Sequence, residues 1–124
     1  MDQLILNAGK DTPRVHFNHK EGILELSGQS LSEDASLFYA PLLNWLQAYV
    51  SSNPAVTKLI FNLSYFNSSS AKQLLKILYE LETIQKNGNT IEVLWKFPKG
   101  NSLLEERGNE LEFLVDLPFK YEAH

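Results

Sequence analysis

The chain has 124 residues, of which 44% are hydrophobic, so it is long enough and apolar enough to fold around its own core. This composition excludes a chain that is disordered for lack of apolar residues. There is no cysteine, which excludes disulfides, thiol catalysis and thiolate metal sites. The formal net charge is −4 and the lysines are scattered, which argues against nucleic acid as the main partner, because phosphate binding needs clustered Lys and Arg.

No segment has the pattern of a membrane span or a secretion signal. A transmembrane helix needs roughly 18 or more consecutive apolar residues, and no window reaches that length. Met1–Leu6 lacks the basic region and the long apolar run of a signal peptide. We therefore expect a soluble, cytoplasmic protein with no membrane partner, which forms a single domain over residues 1–124.

The first part of the chain has the alternation typical of β-strands. Leu4–Leu6 predicts a short strand, and residues 14–18 alternate apolar and polar side chains. Ile23–Leu26 continues the pattern after a turn at Lys20–Gly22, so the last two segments should form a β-hairpin that ends at Gly28.

A helix is predicted next. Ser32–Asp34 is a helix-start signal, and residues 35–51 carry apolar side chains at helical spacing. On this stripe Trp45 and Tyr49 are expected to be core residues. Pro41 falls inside the pattern, so either two short helices meet there or one helix is kinked.

The second half alternates strands and helices. A largely apolar strand is predicted at 58–63, and a helix with one apolar stripe follows from the serine cluster at 68–70 to residue 86. Next come a strand at 90–97 and a short helix at 102–107 that is stopped by Gly108. The last strand is predicted at 110–119, and the tail from Lys120 on is expected to be frayed. This order predicts an α/β fold with a mixed β-sheet and two main helices packed on it.

The sequence offers little for catalysis or metal binding. His16 and His19 lie on a strand and a turn, should point to opposite faces, and have no third ligand nearby. There is no Gly-rich phosphate loop, no HExxH and no nucleophile motif. We therefore predict that the protein is not an enzyme and uses no metal or cofactor.

The most informative segment is a serine cluster between a strand and a helix. Ser70 with Gln73 has capping-box spacing, so the serines could simply cap the helix. Alternatively Ser68 or Ser69 could be a phosphoacceptor, because a helix N-terminus favours negative charge. Tyr65 and Phe66 lie in the turn before the serines, where large aromatic side chains are less easily buried, and could contact a partner protein.

Four segments, taken in order along the chain, resemble those of the SiaC family of bacterial biofilm-regulation phosphoproteins. The similarity covers most of the chain. The segments are Thr12-Pro13-Arg14-Val15-His16-Phe17, Gly28-Gln29-Ser30-Leu31-Ser32-Glu33-Asp34-Ala35, Phe38-Tyr39-Ala40-Pro41-Leu42-Leu43-Asn44-Trp45-Leu46 and Tyr65-Phe66-Asn67-Ser68-Ser69-Ser70-Ala71-Lys72.

The resemblance implies a fold like the STAS domains of anti-sigma-factor antagonists, controlled by a Ser/Thr protein kinase and a PP2C-type phosphatase. It also implies that the unmodified protein binds and activates a diguanylate cyclase, and that phosphorylation prevents this and so controls cyclic di-GMP. By position in the motif the phosphoacceptor is Ser68, and the partner-binding residues beside it are Tyr65, Phe66, Asn67 and Ser69.

The chain departs from the family pattern in two places. Serine replaces the threonine that is common at the acceptor position, and Lys96–Gly100 replaces an aromatic and acidic run after Trp95. The leading hypothesis is a non-enzymatic, phosphorylation-controlled adaptor. The alternative is a constitutive STAS-like scaffold or small-ligand-binding module, in which the serines only cap the helix.

Overall fold

The computed structural model describes all 124 residues. It contains six strands and three helices. In chain order these are β1 (Leu4–Leu6), β2 (Arg14–Asn18), β3 (Ile23–Ser30), α1 (Ala35–Ser51), β4 (Val56–Phe66), α2 (Ser68–Lys86), β5 (Thr90–Phe97), α3 (Ser102–Leu114) and β6 (Phe119–Ala123).

The six strands form one mixed sheet in which spatial order equals chain order, β1-β2-β3-β4-β5-β6. The first three strands are antiparallel neighbours, and β3 to β6 run parallel. Each parallel neighbour is reached through one helix. Because such crossovers share one hand, all three helices are placed on the same face of the sheet. The predicted α/β class, with a mixed sheet and two main helices packed on it, is confirmed, and the third helix, α3, covers the same face.

Burial along the strands matches this one-sided arrangement. In β5 the side chains of Ile91, Val93 and Trp95 are buried beneath the helices, while Glu92 and Leu94 between them are half-buried on the other face. The buried hydrophobic residues form one continuous cluster. The sheet and the helices therefore share a single core.

Helix α1 begins as the sequence predicts. Asp34 is its N-cap and accepts a hydrogen bond from the backbone N–H of Ser36. One helix runs through Pro41, so the segment is not divided in two. Tyr49 is buried as expected, and Trp45 is half-buried with its ring stacked on Tyr49 at 5.3 Å between centroids. No helix combines the length and the apolar character that crossing a membrane would require.

The prediction for the C-terminal quarter is wrong in three respects. The helix α3 does not stop at Gly108 but continues to Leu114, and most of the predicted strand at 110–119 is therefore helical. The tail from Lys120 is not frayed, because residues 119–123 form β6 and pair in parallel with β5. Leu104, Gly108 and Leu111 are the buried positions of α3, and their spacing is that of one helix face.

Candidate functional site

The candidate site is the junction of β4 and α2, and an irregularity in the sheet shapes it. Both β3 and β4 are longer than predicted, and they pair beyond Gly28. The register shifts there, because Gly28 pairs with Leu63 but the next residue of β3, Gln29, pairs with Tyr65. Ser64 is thus an extra residue, and its hydroxyl donates to the carbonyl of Gly28 at 3.1 Å.

This bulge reverses the direction of the side chains that follow it. In β4 before the bulge, odd-numbered residues such as Leu63 point into the core. After it, Phe66 points inward and is 1% exposed, whereas Tyr65 is 49% exposed. The expectation that Phe66 is exposed is therefore wrong. Its ring packs edge-on against Trp95, with 5.8 Å between the centroids.

Asn67, not Ser70, is the N-cap of α2. Its Oδ1 accepts a hydrogen bond from the backbone N–H of Ser70 at 2.8 Å. Its Nδ2 donates to the carbonyl of Ser32 at 3.1 Å, and its backbone N–H donates to the carbonyl of Ser30. The half-buried Asn67 side chain therefore ties the start of α2 to the segment that leads into α1.

Ser70 lies in the first turn of α2 and is fully buried. Its hydroxyl donates to the carbonyl of Ser30 at 2.9 Å, so its single proton is used there. The Ser30 hydroxyl, 2.6 Å away, must then donate to Ser70 and accept from the hydroxyl of Tyr39 at 2.9 Å. These three hydroxyls form a buried chain whose polar atoms are all satisfied.

The surroundings of Tyr39 keep its hydroxyl protonated, so that it donates to the Ser30 hydroxyl. Burial raises the pKa of its hydroxyl to about 12, and the hydrogen bond with Ser30 opposes this only in part. Tyr39 is therefore protonated at neutral pH and donates to Ser30. The buried chain is consequently a structural element of the junction, with no charge of its own.

The three serines differ in accessibility. Ser70 is buried, and Ser69 is half-buried with its Oγ accepting from the backbone N–H of Ala35 at 3.1 Å. Ser68, the first residue of α2, is exposed, and its hydroxyl has no hydrogen-bond partner within the chain. Of the three hydroxyls, only that of Ser68 is both exposed and free of hydrogen bonds within the chain.

A groove lies beside the junction, between α2 and α3. We call it the α2–α3 groove, and it encloses about 200 Å³. Its lining residues are Phe66, Ala71, Lys72, Leu75, Arg107, Glu110, Leu111 and Leu114. Sequence reasoning missed this groove because it placed residues 110–119 in a strand. It also missed Ser30, Ser32 and Arg107, which reach the junction only through the fold.

The histidines do not form a metal site. His16 lies on β2, and its Nε2 is 2.9 Å from the side-chain amide oxygen, Oε1, of Gln3. His19 packs edge-on against the ring of Tyr49 in α1. The predicted separation of the two side chains is thus confirmed, and no group of three or more His, Asp or Glu side chains is arranged to hold a metal ion.

Comparison with known proteins agrees with this architecture. The family model described as "SiaC family regulatory phosphoprotein" matches residues 6–124. A curated relative, an uncharacterised protein of Pseudomonas aeruginosa strain UCBPP-PA14, is 24% identical over 124 residues, which cover 100% of this chain and 98% of the relative.

Solved structures show the same fold. The crystal structure of apo-SiaC from Pseudomonas aeruginosa has a TM-score of 0.92 at 24% identity, covering 99% of this chain and 100% of that one. SiaC from the same organism, solved in complex with the diguanylate cyclase SiaD that it activates, has a TM-score of 0.91 at 24% identity, covering 98% and 99%. At this identity the likeness establishes the fold.

Proposed function

The chain belongs to the SiaC family of regulatory phosphoproteins, and from this premise we propose that it is a non-enzymatic adaptor switched by phosphorylation of Ser68. In its unmodified form it binds and activates a diguanylate cyclase. Phosphorylation of Ser68 prevents that binding. The protein acts in the cytoplasm, where a Ser/Thr kinase adds the phosphate and a PP2C-type phosphatase removes it.

The observation that carries this proposal is the exposure of Ser68 at the first position of α2. A kinase must bring the acceptor hydroxyl into its own active site, and Ser69 and Ser70 are held by hydrogen bonds within the fold. Ser68 is exposed and free of such bonds. Among the three serines it is therefore the one that can be modified without breaking the junction.

The position also explains why the modification changes a surface rather than the fold. A phosphate adds about −1.5 to −2 charges. At a helix N-terminus this charge is favoured by the helix dipole, so the start of α2 is not destabilised. A partner that packs over this surface, however, must either bury the added charge or meet it with repulsion from its own acidic groups. Partner binding is therefore weakened while the protein remains folded.

The residues beside Ser68 contribute in different ways. Tyr65 is half exposed and offers an aromatic contact to the partner. Asn67 and Ser69 hold the loop in shape through Ser32 and Ala35, and present only part of their side chains. The cyclase as partner is supported by the pairing of SiaC with SiaD in the similar structure.

The experiment begins with the protein purified from its native cells under phosphatase inhibition, followed by intact-mass measurement and peptide mapping. We expect one added phosphate, located on Ser68. Ser68→Ala should abolish the added mass and leave the protein permanently able to bind the cyclase. Ser69→Ala is the matched control and should still be phosphorylated.

The absence of phosphate on Ser68 under several growth conditions would contradict the proposal. It would favour the alternative, a constitutive scaffold or small-ligand-binding module on the same fold. Phosphate on a different residue would still support control by phosphorylation, but it would show that Ser68 is not the phosphoacceptor.

A further inference from the structure

The strand β6 lies at one edge of the sheet and leaves its outer side unpaired. It pairs with β5 on one side only. The carbonyl of Pro118 accepts a hydrogen bond from β5, and the backbone N–H of His124 donates one to β5. Since alternate residues of a parallel strand bond to the same neighbour, the even-numbered residues of β6 bond to β5. The backbone N–H and C=O groups that point away from the sheet therefore belong to Phe119, Tyr121 and Ala123.

The face of this edge that no helix covers carries two ion pairs. Glu122 pairs with Lys96 of β5 at 3.4 Å, and Lys120 pairs with Glu92 of β5 at 3.0 Å. The side chains of Lys120 and Glu122 are nevertheless 70% and 53% exposed. An ammonium group has three protons and a carboxylate has two oxygens, so each of these groups can bind a second partner while it keeps the first.

The order of the residues in β6 makes this edge complementary to itself. When two copies of β6 lie antiparallel about a two-fold axis at Tyr121, Lys120 of each copy stands opposite Glu122 of the other. The outward-pointing residues 119, 121 and 123 then occupy the hydrogen-bonded positions of the new strand pair. Lys120 and Glu122 occupy the non-hydrogen-bonded positions, where facing side chains are closest. The bulky Phe119 stands opposite the small Ala123.

We propose that β6 is a dimerisation edge, at which two copies of this chain pair their β6 strands antiparallel and join their sheets into one. The ion pairs of the two copies then form one row of alternating sign on the uncovered face. Opposite charges that face each other across a strand pair stabilise it, and like charges destabilise it. Reading across the axis, the row consists of Lys96 and Glu122 from one copy, followed by Lys120 and Glu92 from the other.

The helix side of the edge limits the strength of this contact. Glu112 accepts a hydrogen bond from the Tyr121 hydroxyl of its own chain at 2.6 Å, and Glu105 also lies near that hydroxyl. These acids repel their counterparts across the axis. One five-residue strand per copy is also a small interface. We therefore expect a weak dimer, which forms at protein concentrations of about 0.1–1 mM.

Sedimentation velocity of the full chain, over concentrations from about 10 μM to 1 mM, measures this self-association. Lys120→Glu leaves two acids on the edge, and Glu122→Lys leaves two bases, so each variant repels its own copy. We expect each to weaken self-association by about tenfold or more. An equimolar mixture of the two variants should associate better than either alone, because acids on one copy then face bases on the other. A defect in folding would not be rescued by mixing.

Lys20→Glu is the matched control for charge. Lys20 is exposed in the turn between β2 and β3, far from β6 in the order of the sheet. The same change of charge at this position should leave self-association as it is in the unaltered protein. Circular dichroism of the three variants confirms that they remain folded.

Single thiols test the register of the pairing, because the chain has no cysteine of its own. The two-fold axis places the two Cα atoms of residue 121 about 5.5 Å apart, whereas those of residue 119 are about 14 Å apart. A short bifunctional thiol reagent should therefore link two copies of Tyr121→Cys and should not link two copies of Phe119→Cys.

A chain that stays monomeric at about 1 mM would overturn the proposal and would show that the charges of β6 shield the edge instead. A dimer that survives Glu122→Lys would also overturn it, since another surface would then form the contact. So would a mixture of the two charge variants that associates no better than either alone. None of these results affects the proposed switch, because phosphorylation of Ser68 does not involve β6.

Discussion

At the residue scale, the Asn67 side chain holds the junction through two hydrogen bonds. Its amide oxygen caps α2, and its amide nitrogen reaches the segment before α1 through the carbonyl of Ser32. The capping oxygen satisfies one of the N–H groups that a helix start leaves without a partner. The start of α2, which carries Ser68, is thus held by bonds that leave the Ser68 hydroxyl free.

Replacing Asn67 with alanine removes both hydrogen bonds. We expect Asn67→Ala to lower the free energy of unfolding by about 1–2 kcal/mol, measured by urea denaturation. Asn67→Asp keeps the capping oxygen and adds a negative charge at the helix N-terminus, so it should cost less than the alanine variant. Equal losses for the two variants would show that the cap contributes nothing measurable.

The buried tyrosine predicts how stability depends on alkaline pH. Tyr39 has a pKa of about 12 in the folded protein and about 10 when unfolded. The unfolded chain therefore loses this proton first, so the stabilisation is complete below pH 10 and is lost as the pH rises towards 12. The contribution of Tyr39 falls by about 1.4 kcal/mol per pH unit in that window.

Urea denaturation of the unaltered protein and of Tyr39→Phe between pH 9 and 12 tests this. The pKa values of Tyr49 and Tyr121 are also raised, so both proteins should lose stability as the pH rises. The phenylalanine variant should have the shallower slope. Parallel slopes would mean that Tyr39 titrates alike in the folded and unfolded states.

At the element scale, α3 is placed by the close contact of a glycine with a tryptophan. A Cβ added at Gly108 would lie 2.7 Å from Nε1 of Trp95, a distance that carbon atoms do not tolerate. The same indole N–H donates to the carbonyl of Leu104 at 3.0 Å. Gly108 therefore allows α3 to pack directly on β5, and it does not end the helix.

Gly108→Ala is expected to destabilise the protein in spite of alanine's better helix propensity. Overpacking a core costs about 1–3 kcal/mol, whereas the change in propensity gains about 1 kcal/mol. Thermal unfolding should therefore show a lower Tm for Gly108→Ala. Asn109→Ala, at the exposed neighbouring position, should leave the Tm unchanged or raise it. A raised Tm for Gly108→Ala would contradict the packing argument.

The same element shows how far local patterns predict this fold. The strands up to β5 and both long helices follow from apolar periodicity, because each buries one regular face. Residues 111–117 also alternate, and this predicts a strand, but Phe113 is 89% exposed on a helix. The buried face of α3 is regular only when Gly108 is counted with Leu104 and Leu111. The burial of Gly108 becomes evident only from its contact with Trp95.

The candidate site was predicted only in part, for the same reason. Ser68 could be proposed as the phosphoacceptor from its motif alone, and its exposure could not be read from that motif. The inward turn of Phe66 could not be predicted, since it depends on a bulge formed with β3, about 36 residues earlier. The capping role of Asn67 was also missed, because Ser70 offered an equally good local signal.

At the scale of the whole molecule, the junction connects the sheet to two helices. Ser30 at the end of β3 and Ser70 in α2 are joined by hydroxyls, and Ser69 meets the start of α1 at Ala35. These hydrogen bonds surround Ser68 but do not involve its side chain. We therefore expect phosphorylation to change what the surface binds while the fold stays the same.

The most direct test of the switch is a binding titration with authentic phosphoserine at position 68. The full-length diguanylate cyclase of the same organism is titrated by calorimetry with the unmodified protein and with the phosphorylated protein, each verified by intact mass. We expect the unmodified protein to bind and phosphorylation to weaken the affinity by about tenfold or more. Equal affinity of the two forms would contradict the claim that Ser68 is the switch.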